Sequence, residues 1–334
     1  MEAEYPSMIT PTLSLRDLTV DIPTRHGTLR PVDAVSWDVA PGEILGVVGE
    51  SGAGKSMAGN AVIGLLDPPA RIAGGEVRLE GERIDDLPAR DMRRIRGKRI
   101  GMVFQDPLTS LNPLLTVGEQ LTETILRHLD VTRAEAARRA VRGLDEVGIP
   151  SARNRMDAYP HQFSGGMRQR VVIALALCAE PALLIADEPT TALDVSVQAQ
   201  ITALLKRLCR ERGMAAMLIT HDMGVIAETA DRVAVMYAGR LAEIGPVAQI
   251  VGAPRHPYTD GLMASTPAAS AGQRRLRQIP GAMPRLDRMP TGCPFHPRCP
   301  RAEARCPQEP GPRVGTADIR AACWFPIEHA EDAA

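Results

Sequence analysis

The densest chemistry in this chain lies in Gly49-Glu50-Ser51-Gly52-Ala53-Gly54-Lys55-Ser56, which fits G-x-x-x-x-G-K-[ST] without a mismatch. Glycines at these spacings let backbone N–H groups turn inward around an anion, at the start of a helix whose dipole favours negative charge. Lys55 is placed to reach β- and γ-phosphates, and the Ser56 hydroxyl to ligate Mg²⁺. A second motif closes the apolar run Leu183-Leu184-Ile185-Ala186 with Asp187-Glu188. At the end of a buried strand Asp187 can hold Mg²⁺ through water, and Glu188 can polarise an attacking water as general base. The chemistry these residues point to is transfer of a nucleotide's terminal phosphoryl group to water.

Such groups need rigid elements behind them. The apolar segment Ile44-Leu45-Gly46-Val47-Val48 precedes the glycine loop directly, and strand-like runs at Leu13–Ile22 and Val32–Val39 come before it. Strand and helix patterns then alternate as in a mostly parallel, covered sheet, which predicts an α/β fold. Between about 107 and 168 the character turns helical. Thr132 and Glu135 have capping-box spacing, and Ala134, Ala137, Val141, Leu144 and Val147 follow at helical intervals. This block is expected as a helical insertion into the α/β core.

Four further pieces carry a resemblance. Phe163-Ser164-Gly165-Gly166-Met167 opens a helix beginning with Arg168 and Arg170, and 19 residues separate Met167 from Asp187. Gln105 lies in Val103-Phe104-Gln105-Asp106-Pro107, and His221 ends the apolar run Leu218-Ile219-Thr220. Ala192-Leu193-Asp194 follows the acidic motif. In this order the set resembles the nucleotide-binding domain of ATP-binding cassette (ABC) proteins, over roughly residues 12–265. The resemblance implies a P-loop ATPase that uses ATP and Mg²⁺. Ser164, Gly165 and Gly166 would be the signature that binds the γ-phosphate of ATP held by an opposite subunit, and Gln105 the Q-loop residue touching Mg²⁺ or the attacking water. His221 would be the switch histidine, and Asp194 part of the loop facing the partner. Two departures stand out. The position near Ile22, where the family stacks adenine on an aromatic ring, has only His26 nearby. Met167 stands where the signature often has glutamine.

Phe104 to Pro113, Tyr159 to Gly166 and His256-Pro257-Tyr258-Thr259 resemble, more narrowly, the ATP-binding subunits of dipeptide and oligopeptide importers. That implies peptide import, with nickel uptake as a close alternative. The implied partners are a second cassette, identical or homologous, two transmembrane permease subunits and an extracytoplasmic solute-binding protein. A soluble ABC ATPase of DNA repair or translation is the rival class. Such proteins usually carry paired cassettes, coiled coils or basic arms, and this chain shows none of them.

Composition bounds the alternatives. With 39 basic and 40 acidic residues there is no basic field for nucleic acid, and the cluster Arg93 to Arg99 reads as a solvated face. The longest apolar stretch, Val171 to Ala186, is interrupted by Glu180 and Pro181 and is too short and polar to span a membrane. Met-Glu-Ala-Glu-Tyr-Pro lacks the start of a secretory signal. These features predict a cytosolic protein, and the resemblance implies that it sits peripherally at the cytoplasmic face of the membrane.

Residues 266–334 are expected as a C-terminal extension. Nine prolines and three cysteines crowd into residues 280–312, a composition that predicts a segment unable to hold itself together without a cross-link. Cys293, Cys299, Cys306 and Cys323 offer an all-sulfur site suited to an iron–sulfur cluster or zinc, with free thiols as the remaining alternative. The spacing is not the C-x2-C of typical zinc sites, and the resemblance extends to family members that carry a [4Fe–4S] cluster. Cys178 and Cys209 lie in apolar helical patterns and are expected as core residues.

Overall fold

A computed structural model describes residues 10–191, 193–266, 278–315 and 319–329. Ala192, and the first nine residues read above for a secretory start, lie outside that set. Twelve strands are described: β1 (Leu13–Thr24), β2 (Gly27–Val39), β3 (Ile44–Val48), β4 (Arg71–Leu79), β5 (Glu82–Arg83), β6 (Ile100–Val103), β7 (Leu183–Asp187), β8 (Ala215–Ile219), β9 (Arg232–Tyr237), β10 (Arg240–Pro246), β11 (Arg313–Gly315) and β12 (Arg320–Ala322). They form a four-stranded sheet in the order β2-β1-β4-β5 and an eight-stranded sheet in the order β11-β12-β10-β9-β3-β8-β7-β6.

The centre of the larger sheet is parallel, with β3 between β8 and β9 and β7 between β6 and β8. Every residue of β3, β7 and β8 is buried. This is why their sequences are continuous apolar runs and do not alternate with polar residues. The two-residue period decides which core each side chain enters. Ile44, Val48, Leu184 and Ala186 join the cluster shared with the helical block. Leu45, Val47, Leu183 and Ile185 join the cluster beneath β1, β2 and the helix Lys55–Val62.

The helical insertion is present, with helices at Val117–His128 and Arg133–Glu146 flanked by shorter turns. Its details correct the sequence reading in two places. The reciprocal capping box belongs to Thr116 and Glu119. Thr132 does cap its helix, accepting from the Glu135 N–H, but the Glu135 carboxylate accepts from Arg138, Arg139 and Arg142. The inward row of that helix is Ala136, Ala140 and Leu144, continued by Val147. Ala134, Ala137 and Val141 instead line an open groove with Met156. The apolar stretch from Val171 to Ala186 splits into the helix Gly165–Leu177 and β7, and no described helix is long and apolar enough to cross a membrane.

The proline-rich extension meets the core through contacts that its composition did not announce. Strand β12 adds to β10, with Ala321 opposite Glu243, and β11 adds to β12. Phe295 is 2% exposed and packs between Tyr237 and Tyr258, with ring centroids 5.2 and 5.4 Å away. The few bulky residues of the segment thus meet the core at one aromatic contact and a strand edge. Phe295→Ala is expected to cost about 3 kcal/mol and to open residues 278–315 to limited proteolysis. Chelator treatment of the wild-type chain is expected to leave them protected.

Candidate ATP site

Four loops converge at one edge of the parallel sheet, each leaving the C-terminal end of a strand: Gly49–Gly54 after β3, Gln105 after β6, Glu188 after β7 and His221 after β8. Ligands of open α/β sheets bind at this edge, because helix N-termini and strand-end loops meet there.

The loop after β3 holds its shape through positions that exclude a side chain. A Cβ on Gly49 (φ +150°) would stand 2.2 Å from the Met236 carbonyl oxygen, and one on Gly54 (φ +99°) would stand 2.1 Å from that of Pro31. Only glycine allows this approach together with a positive φ. Ala53 is buried, and its N–H donates to the Glu50 carbonyl at 3.1 Å. Lys55 is 6% exposed, and its Nζ donates to the carbonyls of Gly49 (2.9 Å) and Glu50 (3.1 Å). Burial pulls its pKa down, while the charges of Glu188 and Asp187 oppose that fall. The ammonium thus sits in a cup of carbonyls.

The Ser56 hydroxyl donates to Asp187 Oδ1 at 2.9 Å, which brings together two hard oxygen donors of the kind Mg²⁺ prefers. Burial raises the Asp187 pKa, against the Ser56 hydrogen bond and Lys55, as expected of a carboxylate arranged for a cation. Glu188 takes φ +46°, a region that costs a non-glycine residue about 1–3 kcal/mol. Its N–H donates to the Ile219 carbonyl at 2.8 Å, which fixes the turn. The Glu188 carboxylate accepts from Gln105 Nε2 (3.1 Å) and Thr191 Oγ1 (2.8 Å), and lies 3.3 Å from His221 Nδ1. Burial alone would raise its pKa. The hydrogen bonds from Thr191 and His221, with the charges of His221 and Lys55, outweigh burial and hold Glu188 below the usual range. A carboxylate kept ionised in this way can accept a proton from water.

The structure therefore brings Gln105, Asp187, Glu188 and His221 together with the loop Gly49–Ser56. It does not bring the remaining expected residues to that cluster within this chain. Ser164 caps the helix Gly165–Leu177 by accepting from the Met167 N–H at 3.3 Å. Gly165 and Gly166 face Leu193 and Val197, and a Cβ on Gly166 would approach Val197 to 2.7 Å. Asp194 caps the helix Val195–Arg212 through the Val197 N–H (2.9 Å) and accepts from the Ser196 hydroxyl (2.7 Å). Ser164 and Asp194 are both exposed.

Three residues that support the site from outside it carried no local signal. Thr191 holds Glu188. Tyr258 accepts from the Glu50 N–H through its hydroxyl at 2.9 Å, 208 positions away in sequence. Arg298 donates from Nη1 to both Glu50 carboxylate oxygens at 3.0 Å, 248 positions away. His256-Pro257-Tyr258, singled out in the sequence only for its resemblance to importer subunits, is thus part of the loop's support.

The four tail cysteines line one small cavity with Phe295 and Trp324. Burial raises the thiols of Cys293, Cys299 and Cys323, and neighbouring cysteines push each further in the same direction. Among the described residues, however, no three His, Cys, Asp or Glu groups are disposed to hold a metal ion. The expected metal centre is a convergence of thiols without ligand geometry. Cys178 is half-buried against the core and Cys209 buried in it, with burial pushing both thiols up to about 12.

Comparison with known proteins places these features. Residues 32–191 match a family profile described as ABC transporter, and residues 242–306 one described as oligopeptide/dipeptide transporter, C-terminal region. A dipeptide transport ATP-binding protein of Bacillus subtilis (strain 168) is 47% identical over 323 residues, 96% of this chain and 96% of its own. An oligopeptide transport ATP-binding protein of Salmonella typhimurium (strain LT2) is 48% identical over 316 residues, 95% of this chain and 94% of its own. Among solved structures, a dimeric post-hydrolysis state of an ATP-binding cassette bound to ADP and Pi gives a TM-score of 0.63 at 29% identity, over 70% of this chain and 98% of that one. With a strand-end phosphate loop, an acidic pair behind it and relatives of this identity across nearly their whole length, the chain belongs to the ABC transporter family of ATP-binding proteins.

Proposed function

We propose that this chain binds Mg·ATP at Gly49–Ser56 and hydrolyses it, powering import of dipeptides or oligopeptides through partner membrane subunits. The observation that carries the chemistry is Glu188, ionised and held by Thr191, Gln105 and His221 beside the Lys55–Ser56–Asp187 cluster. Lys55 would exchange its carbonyl partners for the β- and γ-phosphates. Ser56 and Asp187 would hold Mg²⁺, which neutralises charge between the phosphates and leaves proton transfer to the protein. Glu188 would take the proton of the attacking water, while His221 and Gln105 align it.

The solute class rests on the two transport ATP-binding relatives and on the matched C-terminal region. A paired arrangement of cassettes accounts for Ser164, Gly165, Gly166 and Asp194, which lie outside the cluster of their own chain. A helix N-terminus with two glycines presents N–H groups to an anion, and the ATP of an opposite cassette would supply one. The helical insertion offers the surface for the membrane partners. Leu114, at its start, is 82% exposed, and Phe104, beside Gln105, is 42% exposed. Contact there would move the loop that touches Glu188.

For the extension, the reading is that Cys293, Cys299, Cys306 and Cys323 take up a soft metal group, [4Fe–4S] ahead of zinc. It is supported by their common cavity and donor chemistry. Its role would be to fasten residues already seated by Phe295. Anaerobically purified protein is expected to carry iron and sulfide in equal amounts, and metal-free protein with ordinary ATPase activity would remove this part of the reading.

Glu188→Gln is expected to lower ATP turnover by at least about 100-fold while ATP affinity stays near that of the wild type. Turnover and equilibrium binding measured on the same preparation check this, and near-normal turnover would remove Glu188 as the base. In cells, the same substitution is expected to abolish the chain's share of labelled dipeptide and oligopeptide uptake. Unchanged peptide uptake with a lost uptake of another solute would overturn the substrate class.

A further inference from the structure

The mechanism leaves one buried cation unused. Arg298 comes from the segment between Cys293 and Cys299, and its side chain is only 7% exposed. Its Nη1 donates to both Glu50 carboxylate oxygens at 3.0 Å and to the Tyr237 hydroxyl at 3.2 Å. Its Nε donates to the Pro280 carbonyl at 2.8 Å, and its guanidinium lies 5.8 Å from the centre of the Tyr237 ring. The group is thus fixed from behind by the extension and by β9, and spends its charge on the second residue of the phosphate loop.

Glu50 is held at every polar group it has. Its carboxylate takes Arg298, its N–H goes to Tyr258, and its carbonyl accepts Lys55 Nζ at 3.1 Å. Two of these three restraints come from residues C-terminal to the last strand of the parallel sheet. We propose that Arg298 is a positioning residue of the phosphate loop, so that the C-terminal extension sets how tightly this chain holds ATP. The proposal rests on the ATP-site reading above.

Two physical effects act in the same direction. A hydrogen-bonded, charge-assisted pair that is mostly out of water fixes Glu50, and through its carbonyl fixes where the Lys55 ammonium waits. Arg298 also neutralises a carboxylate that would otherwise stand unpaired beside a polyphosphate, where like charges repel. Removing Arg298 loosens the loop and uncovers that negative charge. Removing the Glu50 charge as well cancels the second effect and leaves Arg298 only a neutral amide to hold on the loop.

The test is a double-mutant cycle on the full chain, with Mg·ATP titrated by calorimetry and steady-state turnover measured in parallel. Arg298→Gln is expected to raise the Kd for ATP about tenfold while kcat changes by less than about twofold. In a Glu50→Gln background the same substitution is expected to change Kd by less than about twofold. Equal effects in both backgrounds, or none in either, would overturn the proposal. If Arg298→Gln does not fold, Arg298→Lys carries the cycle, with an expected rise of about threefold in the wild-type background alone. Lys55→Ala separates the two readings. Its loss of ATP binding supports the site itself, and an unaltered Kd for Arg298→Gln alongside it overturns the role of Arg298 only.

Discussion

A lysine ammonium buried at 6% exposure, with two carboxylates behind it, is the constraint from which the rest of this structure follows. An ammonium cannot stay in such a place without partners, because removal from water costs several kcal/mol per ion. The carbonyls of Gly49 and Glu50 are those partners. They can face inward only because Gly49 and Gly54 let the loop close against the Met236 and Pro31 carbonyls. That closure needs β3 in the middle of the sheet, with β8 and β9 on either side. The parallel core, its covering helices and the glycines therefore serve one arrangement, a cation poised to exchange carbonyl oxygens for phosphate oxygens.

The same edge explains the division of labour between the carboxylates. Asp187 closes the buried strand β7 beside the Ser56 hydroxyl, and burial moves its pKa upward until a cation restores the balance. Glu188 stands one residue further, in a strained turn, with three side chains around its oxygens that keep it ionised. Adjacent positions in sequence thus acquire different chemistry from environment alone. As an ABC transporter subunit the chain hydrolyses ATP. Its exposed Ser164 and Asp194 are each occupied within the chain by capping a helix.

Much of this was legible in the sequence because the signals are local. The glycine loop, the acidic pair after an apolar run, and Gln105 and His221 after theirs are all strand-end features. A strand buried on both faces announces itself by composition. The inward face of the helix Arg133–Glu146 was misread because alanine dominates both faces. Ala134 and Ala137 fit a helical interval as well as Ala136 and Ala140 do, and only packing distinguishes them. The seating of the extension was also hidden. It depends on three-residue strands and on Phe295 meeting Tyr237 and Tyr258, contacts with no periodic trace. Tyr258 and Arg298 act on Glu50 across 208 and 248 positions, so no motif centred on the loop could include them.

The proposed function requires Lys55, Ser56, Asp187 and Glu188 to form one site for Mg·ATP, assembled before the nucleotide arrives. An experimental structure of the full-length Glu188→Gln chain with ATP and Mg²⁺ tests this. Lys55 Nζ is expected on the β- and γ-phosphates, and the metal beside Ser56 and Asp187. The substituted amide is expected to face the γ-phosphate, with the loop's backbone almost unmoved. A nucleotide bound elsewhere, or Lys55 still on the carbonyls of Gly49 and Glu50 with ATP present, would contradict it.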